Sequence, residues 1–208
     1  MIVLYGSTGA GKTTTAIELE RIGLRVIPSY TTRPPRDDDF GTICTTEEEF
    51  QKSLDQNKIF VHTSYNATFG KCRYWLMKSE FSGYTIDTVL VGSYEFADTI
   101  NQWSKLAFRC GVFNVFIKVD YDLIVDRDKN YTTRNERIDR LKRDDYKMKY
   151  LESEADFVVD NHSLQLSKTI VADLIIESYD VFLRERGVIK WNRCQELSSI
   201  RQKPHIQE

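Results

Sequence analysis

Residues able to bind phosphate stand close to the start of the chain. The stretch from Gly6 to Thr13 fits the spacing G-x-x-x-x-G-K-S/T, which is the pattern of a phosphate-binding loop. In such a loop the backbone N–H groups turn toward the phosphates, and glycines allow the positive φ angles that this requires. We expect Lys12 to reach the β- and γ-phosphates of the bound nucleotide and the Thr13 hydroxyl to bind Mg²⁺. The sequence therefore predicts a binding site for a nucleoside triphosphate and Mg²⁺.

Two arginines in a proline-bearing stretch offer a second place for phosphate. Arg33 and Arg36 lie on either side of two prolines, and the prolines exclude a helix between residues 28 and 41. A guanidinium can bind a phosphate through two parallel hydrogen bonds, which a lysine does less well. Two interpretations stay open from the residues alone. The arginines hold a second phosphate, or they are solvated surface charges that pair with the acidic residues 37–39.

A third group of basic residues lies between residues 127 and 140. Its members are Arg127, Lys129, Arg134, Arg137 and Arg140. A charged, water-exposed segment of this kind can close over phosphates as a lid. It can equally be the solvated face of a helix, and composition does not separate the two.

The pattern of apolar residues predicts the elements that position these groups. A buried strand precedes Gly6, and a helix begins at Lys12. Further strands are predicted at 24–27, 58–62, 88–91, 115–119 and 157–161, and helices after Thr46, within 121–150 and over 166–186. Residues 64–71 are predicted to be rich in turns. The alternation predicts an α/β fold, with a parallel sheet covered by helices on both faces and the ligand at the carboxyl ends of the strands.

Composition narrows the class of protein. The chain has 208 residues and 41% apolar content, enough for one α/β domain with an inserted subdomain. Its 29 basic and 31 acidic residues give no electrostatic argument for a nucleic-acid partner. Four cysteines without a C-x-x-C spacing argue against a zinc site or a disulfide framework. With no stretch long enough for a secretory signal or a membrane span, we expect a cytoplasmic monomer or homodimer whose partners are small-molecule nucleotides.

The segment from Ser29 to Arg36, followed by acidic residues and Gly41, together with the phosphate loop resembles the guanylate kinase family. Further matches fall in the family's order at 47–50, 69–70, 116–117, 140–141 and 158–161. The resemblance implies a P-loop kinase fold, with a monophosphate-binding subdomain inserted in the sheet and a helical lid. It implies a domain over 1–186, made of a core (1–28, 88–126 and 144–186), a subdomain at about 29–87 and a lid at about 127–143. Residues 187–208 would be a C-terminal extension.

The resemblance also implies an activity and a set of residues. The activity is transfer of a phosphoryl group from ATP to a (deoxy)nucleoside monophosphate, in the first place GMP or dGMP. The catalytic residues would be Lys12, Arg33, Arg127 and Arg140. The donor nucleotide would contact Gly6, Ser7, Thr8, Gly9, Ala10, Gly11, Lys12, Thr13, Thr14 and Asn161, with Thr13 also the magnesium ligand. The acceptor would contact Ser29, Arg33, Arg36, Asp39, His62, Phe69, Gly70, Lys71 and Ser93.

Several positions depart from the family's pattern. His62 and Ser93 stand where the family reads guanine with carboxylates, and neither side chain can accept both guanine donors. Cys44 and Phe69 stand where the family has tyrosines. The acceptor is therefore open: another or modified deoxynucleotide, or a ribose phosphate, are alternatives to GMP. A catalytically silent binding module, like the guanylate-kinase-like domains of scaffold proteins, is the alternative of another class, and the intact phosphate loop argues against it.

Overall fold

The computed structural model describes residues 1–36, 39–67, 70–81, 86–92, 96, 98–100, 102–103, 111–120, 122–123, 134–161 and 168–188. The strands within these residues are β1 (Ile2–Tyr5), β2 (Arg25–Ile27), β3 (Ser29–Thr31), β4 (Thr42–Cys44), β5 (Ile59–Ala67), β6 (Gly70–Met77), β7 (Thr88–Val91), β8 (Phe113–Lys118) and β9 (Phe157–Asp160). The α-helices are α1 (Lys12–Arg21), α2 (Glu47–Asp55), α3 (Arg134–Ser153) and α4 (Lys168–Glu185), and a 3₁₀ turn spans Lys78–Phe81.

The larger sheet is parallel and has the strand order β2-β7-β1-β8-β9. Strand β1 lies in the middle, and every one of its residues is buried. This explains its continuous apolar run, because a strand covered on both faces has no solvent side. The predicted α/β class is confirmed.

Helices cover both faces of this sheet. Ile2 and Leu4 of β1 face a core that contains Leu19 of α1 and Ile175 of α4. The alternate residues of β1 face the other core, which also contains Leu151 of α3. The two-residue period of a strand thus sorts β1 between two layers. Among the described residues, no helix is long and apolar enough to cross a membrane.

The smaller sheet has the order β4-β3-β6-β5. Its first strand along the chain, β3, follows β2 with a single residue between them. Strands β3 and β4 are parallel, whereas β6 runs antiparallel to both β3 and β5. Helix α2 covers one face, where Phe50 packs edge-on against Trp75. Since β2 is part of a parallel sheet, the smaller sheet starts at the carboxyl edge of the larger one.

The prediction of a turn-rich segment at 64–71 is wrong, and strand β6 was not predicted. Strand β5 continues to Ala67 and β6 begins at Gly70, and the two strands pair antiparallel between residues 59–67 and 70–77. The polar and small residues of this segment suggested turns, yet the cross-strand contacts outweigh that local preference. The Tyr65 and Tyr74 rings, for example, stack with centroids 5.7 Å apart.

Several local predictions are confirmed. Helix α1 begins at Lys12, and Gly23, just past its end, has a φ of 100°. Thr46 caps α2, since its side chain accepts a hydrogen bond from the Glu49 backbone N–H. Helix α3 is one continuous element across the predicted boundary between lid and core at residue 143. The division into core, subdomain and lid stays a prediction, and the smaller sheet, at residues 29–77, lies within the predicted subdomain.

Candidate functional site

The predicted phosphate loop joins β1 to α1 at the carboxyl edge of the larger sheet. Gly6, Gly9 and Gly11 all have positive φ, at 147°, 77° and 100°. The backbone of Ala10 donates to the Ser7 carbonyl, which tightens the turn. The loop thus has the backbone form expected from its glycines.

Two of these glycines also lie so close to neighbouring atoms that an added Cβ would collide with them. A Cβ at Gly6 would lie 2.3 Å from the backbone oxygen of Ile117. A Cβ at Gly11 would lie 2.8 Å from Nδ2 of Asn161. A side chain at Gly6 would collide with backbone, whereas one at Gly11 would have to displace the end of the Asn161 side chain.

Lys12 and Asn161 meet this loop from its two sides. The Lys12 ammonium donates to the carbonyls of Gly6 (2.9 Å) and Ser7 (2.8 Å). Asn161, which follows β9, donates from Nδ2 to the Ala10 carbonyl at 2.8 Å. The structure therefore brings the loop, its lysine and the distant Asn161 together, and their part in binding the donor nucleotide stays a prediction.

The residues around the loop fit Mg²⁺ held jointly with phosphates. Thr13 is the second residue of α1, directly after Lys12. Within the described part of the chain, no cluster of three or more histidine, cysteine, aspartate or glutamate side chains is placed to bind a metal ion. Mg²⁺ keeps several waters and takes few protein ligands beside the phosphates, and the Thr13 hydroxyl is an oxygen ligand of the kind it takes. Asp120 follows the carboxyl end of β8, at the edge that carries the loop, whereas Asp87 precedes β7 at the opposite edge.

Arg33 is buried, with 5% of its surface exposed, and its guanidinium is held on two edges. Both terminal nitrogens donate to the Asp39 carboxylate, the Nη1–Oδ2 distance being 3.0 Å. Nη1 also donates to the Pro34 carbonyl at 2.7 Å, and Nε donates to the Tyr74 hydroxyl at 2.8 Å. Burial would lower the pKa of Arg33, but the hydrogen bonds and charges of Asp39 and Tyr74 together outweigh it, and the pKa is raised. Arg33 thus pairs with an acidic residue, as the second interpretation of the arginines states. It is buried, however, and not a solvated surface charge.

Asp39 organises the turn that carries both arginines. Besides Arg33, its carboxylate accepts from the backbone N–H of Arg36 at 2.8 Å and from the Cys44 thiol at 3.5 Å. Burial would raise the pKa of Asp39, but these bonds, that from Arg33 first, lower it below its ordinary value. The Arg36 side chain is exposed, and within the described residues it makes no hydrogen bond or ion pair.

Two more residues belong to the cluster formed by Arg33, Asp39 and their hydrogen-bond partners, and the sequence motifs did not indicate either of them. The Thr31 hydroxyl accepts from the Arg33 backbone N–H at 3.2 Å and donates to the Arg73 carbonyl at 2.8 Å. Tyr74 accepts from Arg33 and lies opposite Thr31 in the sheet. A Thr two residues before Arg33 is a local turn signal. The approach of Tyr74, 41 residues away, has no counterpart in local sequence.

His62 lies on the other face of the smaller sheet from Tyr74. It pairs with Trp75, and its ring packs edge-on against Phe50 of α2 at 5.5 Å. Neighbouring residues of a strand point to opposite faces, so Tyr74 and its partner Arg33 occupy the face away from α2. The structure does not bring His62 and Arg33 together, and the part of His62 in reading the base stays a prediction.

The remaining predicted acceptor and lid residues are placed only in part. Ser29 is buried at the start of β3, where its hydroxyl lies 3.4 Å from the Gly41 carbonyl. Gly70 and Lys71 are exposed at the start of β6. Arg140 belongs to α3, and its side chain lies outside the described part. Phe69, Ser93 and Arg127 lie outside the described residues.

The fold can now be compared with known proteins. No known protein family and no curated protein sequence matches this chain. Among solved structures, a guanylate kinase from Anaplasma phagocytophilum is similar with a TM-score of 0.59 and 18% sequence identity, covering 91% of this chain and 96% of that one. Shikimate kinases from Aquifex aeolicus and Bacteroides thetaiotaomicron have TM-scores of 0.42 and 0.41 at 14% identity, covering 86% and 88% of this chain and 96% of each of theirs. The similarity to the guanylate kinase shows that this chain has a P-loop kinase fold.

Proposed function

We propose that this protein transfers the γ-phosphoryl group of ATP to the phosphate of a (deoxy)nucleoside monophosphate. The observation that carries the proposal is that the phosphate loop and the sheet that leads to Arg33 both start at one edge of the larger sheet. The phosphate loop follows β1, and the smaller sheet with Arg33 follows β2, so both stand at the carboxyl edge of the parallel sheet. Tyr74, the partner of Arg33, packs against the core cluster that contains Tyr5, the residue before the loop.

The residues present suit a reaction driven by positioning and charge. Lys12 and the loop N–H groups would hold the phosphates of ATP, while Arg33 and Arg36 would face the acceptor phosphate. Such groups neutralise charge as the phosphoryl group moves between oxygens, and no protein nucleophile is needed. When bound, Mg²⁺ would add positive charge at the phosphates, held on the protein side by Thr13. A silent binding module would not require the intact loop with Lys12.

The acceptor is proposed as a nucleoside monophosphate, with GMP and dGMP first. Within the described residues, Asp39 is the carboxylate of the Arg33 cluster, and it is occupied by Arg33 and the Arg36 backbone. It is therefore not available to read guanine. This favours a loose choice of base, so a modified deoxynucleotide or a ribose phosphate stays a candidate.

The test is acceptor-dependent consumption of ATP. Purified protein with Mg²⁺ and ATP is assayed with GMP, dGMP, AMP, dTMP and ribose bisphosphate in parallel. We expect at least one acceptor to stimulate turnover, and Lys12→Ala to reduce it by about 10²-fold or more while the fold is retained by circular dichroism. A folded protein that no acceptor stimulates would overturn the kinase proposal. A strong preference for GMP would show that groups other than His62 read guanine.

A further inference from the structure

The donors of the Arg33 guanidinium are almost all in use. An arginine side chain has five N–H donors in a fixed plane. Nε–H goes to Tyr74, the two on Nη1 go to Pro34 and Asp39, and one on Nη2 goes to Asp39. Within the described residues, the second N–H of Nη2 has no partner. Arg33 therefore cannot offer a free two-pronged fork to a phosphate, because Asp39 occupies that fork.

The remaining Nη2–H lies beside the Tyr74 hydroxyl. When both terminal nitrogens face one carboxylate, the other hydrogen of Nη2 projects along the same edge of the plane as Nε–H. Nε–H is bound to the Tyr74 oxygen at 2.8 Å. One edge of the guanidinium thus presents an N–H next to a phenol.

The Tyr74 hydroxyl accepts from Arg33 and keeps one hydrogen that it can donate. Because its oxygen accepts from Arg33, its own hydrogen is directed elsewhere, and the Tyr65 hydroxyl lies 3.4 Å away. The stacked ring of Tyr65, 20° from parallel, fixes the Tyr74 ring in the sheet. Tyr74 and Cys44 pair with Thr31 from its two sides in the sheet, and the Cys44 thiol donates to Asp39.

We propose that Tyr74 is an acceptor-binding and positioning residue. Its O–H and the remaining Nη2–H of Arg33 form a pair of donors for one phosphate group of the acceptor, while Asp39 holds Arg33 in place from the opposite edge. This inference rests on the proposed function, since it names the group that meets the acceptor phosphate. Asp39 is then a positioning residue.

The test compares two matched tyrosine variants. Tyr74→Phe removes the hydroxyl and keeps the ring. Tyr30→Phe makes the same change at the neighbouring strand position on the opposite face of the sheet, where the Tyr30 ring stacks on Trp75 and its hydroxyl donates to Glu80. Binding of GMP, guanosine and ATP to each protein is measured by titration calorimetry, and kcat and KM are measured with the most active acceptor of the panel.

We expect Tyr74→Phe to weaken GMP binding by about tenfold or more, because a hydrogen bond to a charged group is lost. Guanosine and ATP affinities should stay within about twofold, since neither ligand places a phosphate at this pair. Tyr30→Phe should bind all three ligands like the unaltered protein. If the unaltered protein turns over an acceptor while Tyr74→Phe binds it equally well, this inference alone is wrong. If the unaltered protein binds ATP but no monophosphate of the panel, the proposed function fails with it.

Discussion

At the scale of single residues, the buried Arg33–Asp39 pair dominates the candidate acceptor site. Removing one partner of a buried ion pair leaves an uncompensated charge, which is more costly than the net value of the pair itself. Asp39 is 16% exposed and Arg33 5%, so water screens this pair far less than a surface one. The pair therefore has a structural role besides any contact with substrate.

The lowered pKa of Asp39 makes this role dependent on pH. A carboxyl whose pKa is lower in the folded than in the unfolded state stabilises the fold fully above its ordinary value, 3.8 here, and loses that contribution as the pH falls through the folded value. We expect Asp39→Asn to lower the free energy of unfolding by about 3 kcal/mol at pH 7. The difference from the unaltered protein should shrink as the pH falls below about 4.

Urea unfolding at pH 7, 5, 4 and 3 checks this prediction. Asp55→Asn is the control, because Asp55 is exposed and its side chain accepts a hydrogen bond from Gln51 of the same helix. We expect a change of less than about 0.5 kcal/mol at each pH. A difference between Asp39→Asn and the unaltered protein that is constant down to pH 3, or grows there, would contradict the role assigned to Asp39.

Among the elements, α1 has a glycine at each end, and the pair allows the cost of a left-handed backbone to be measured apart from the cost of a side-chain collision. Gly11 and Gly23 lie at the two ends of this helix with the same φ of 100°. A Cβ at Gly23 would meet nothing within 4 Å, whereas one at Gly11 would collide with the Asn161 amide. The two glycines thus differ in their surroundings and share their backbone conformation.

Alanine at each glycine should therefore have different effects. Gly23→Ala should lower the free energy of unfolding by about 1–2 kcal/mol, the cost of a left-handed conformation, and leave ATP affinity unchanged. Gly11→Ala should be at least as destabilising and should weaken ATP binding by about tenfold, because it displaces the loop that turns its N–H groups to phosphate. Thermal melts and ATP titrations measure both effects. Equal ATP affinity of the two variants would show that the contact with Asn161 does not shape the loop.

The elements that sequence predicts well are those with strong local signals. The glycine spacing fixes the loop and the start of α1, and Thr46 marks the start of α2. Strand β6 was not predicted because its mixture of polar and aromatic residues gives no strong local signal until they pair with β3 and β5. The same cause hid Tyr74, whose contact with Arg33 exists only once β3 and β6 are neighbours.

In the whole molecule, the proposed function depends on the smaller sheet starting at the carboxyl edge of the larger one. Alternating strands and helices predict a parallel sheet, and the carboxyl edge of such a sheet is where ligands bind. The order of motifs along the chain correctly indicated a P-loop kinase fold. The face of the smaller sheet on which each residue lies could not be predicted, since a shift of one residue exchanges the faces; His62 illustrates this by facing α2.

The proposed function requires that the phosphoryl group pass from ATP to the phosphate of a second molecule. Phosphorus NMR of a reaction with ATP, Mg²⁺ and the most active monophosphate measures this directly, because diphosphate products and inorganic phosphate give separate signals. We predict ADP and the acceptor diphosphate in equal amounts, with inorganic phosphate at background. Release of inorganic phosphate equal to ADP, with the monophosphate unchanged, would show an ATPase and contradict the account.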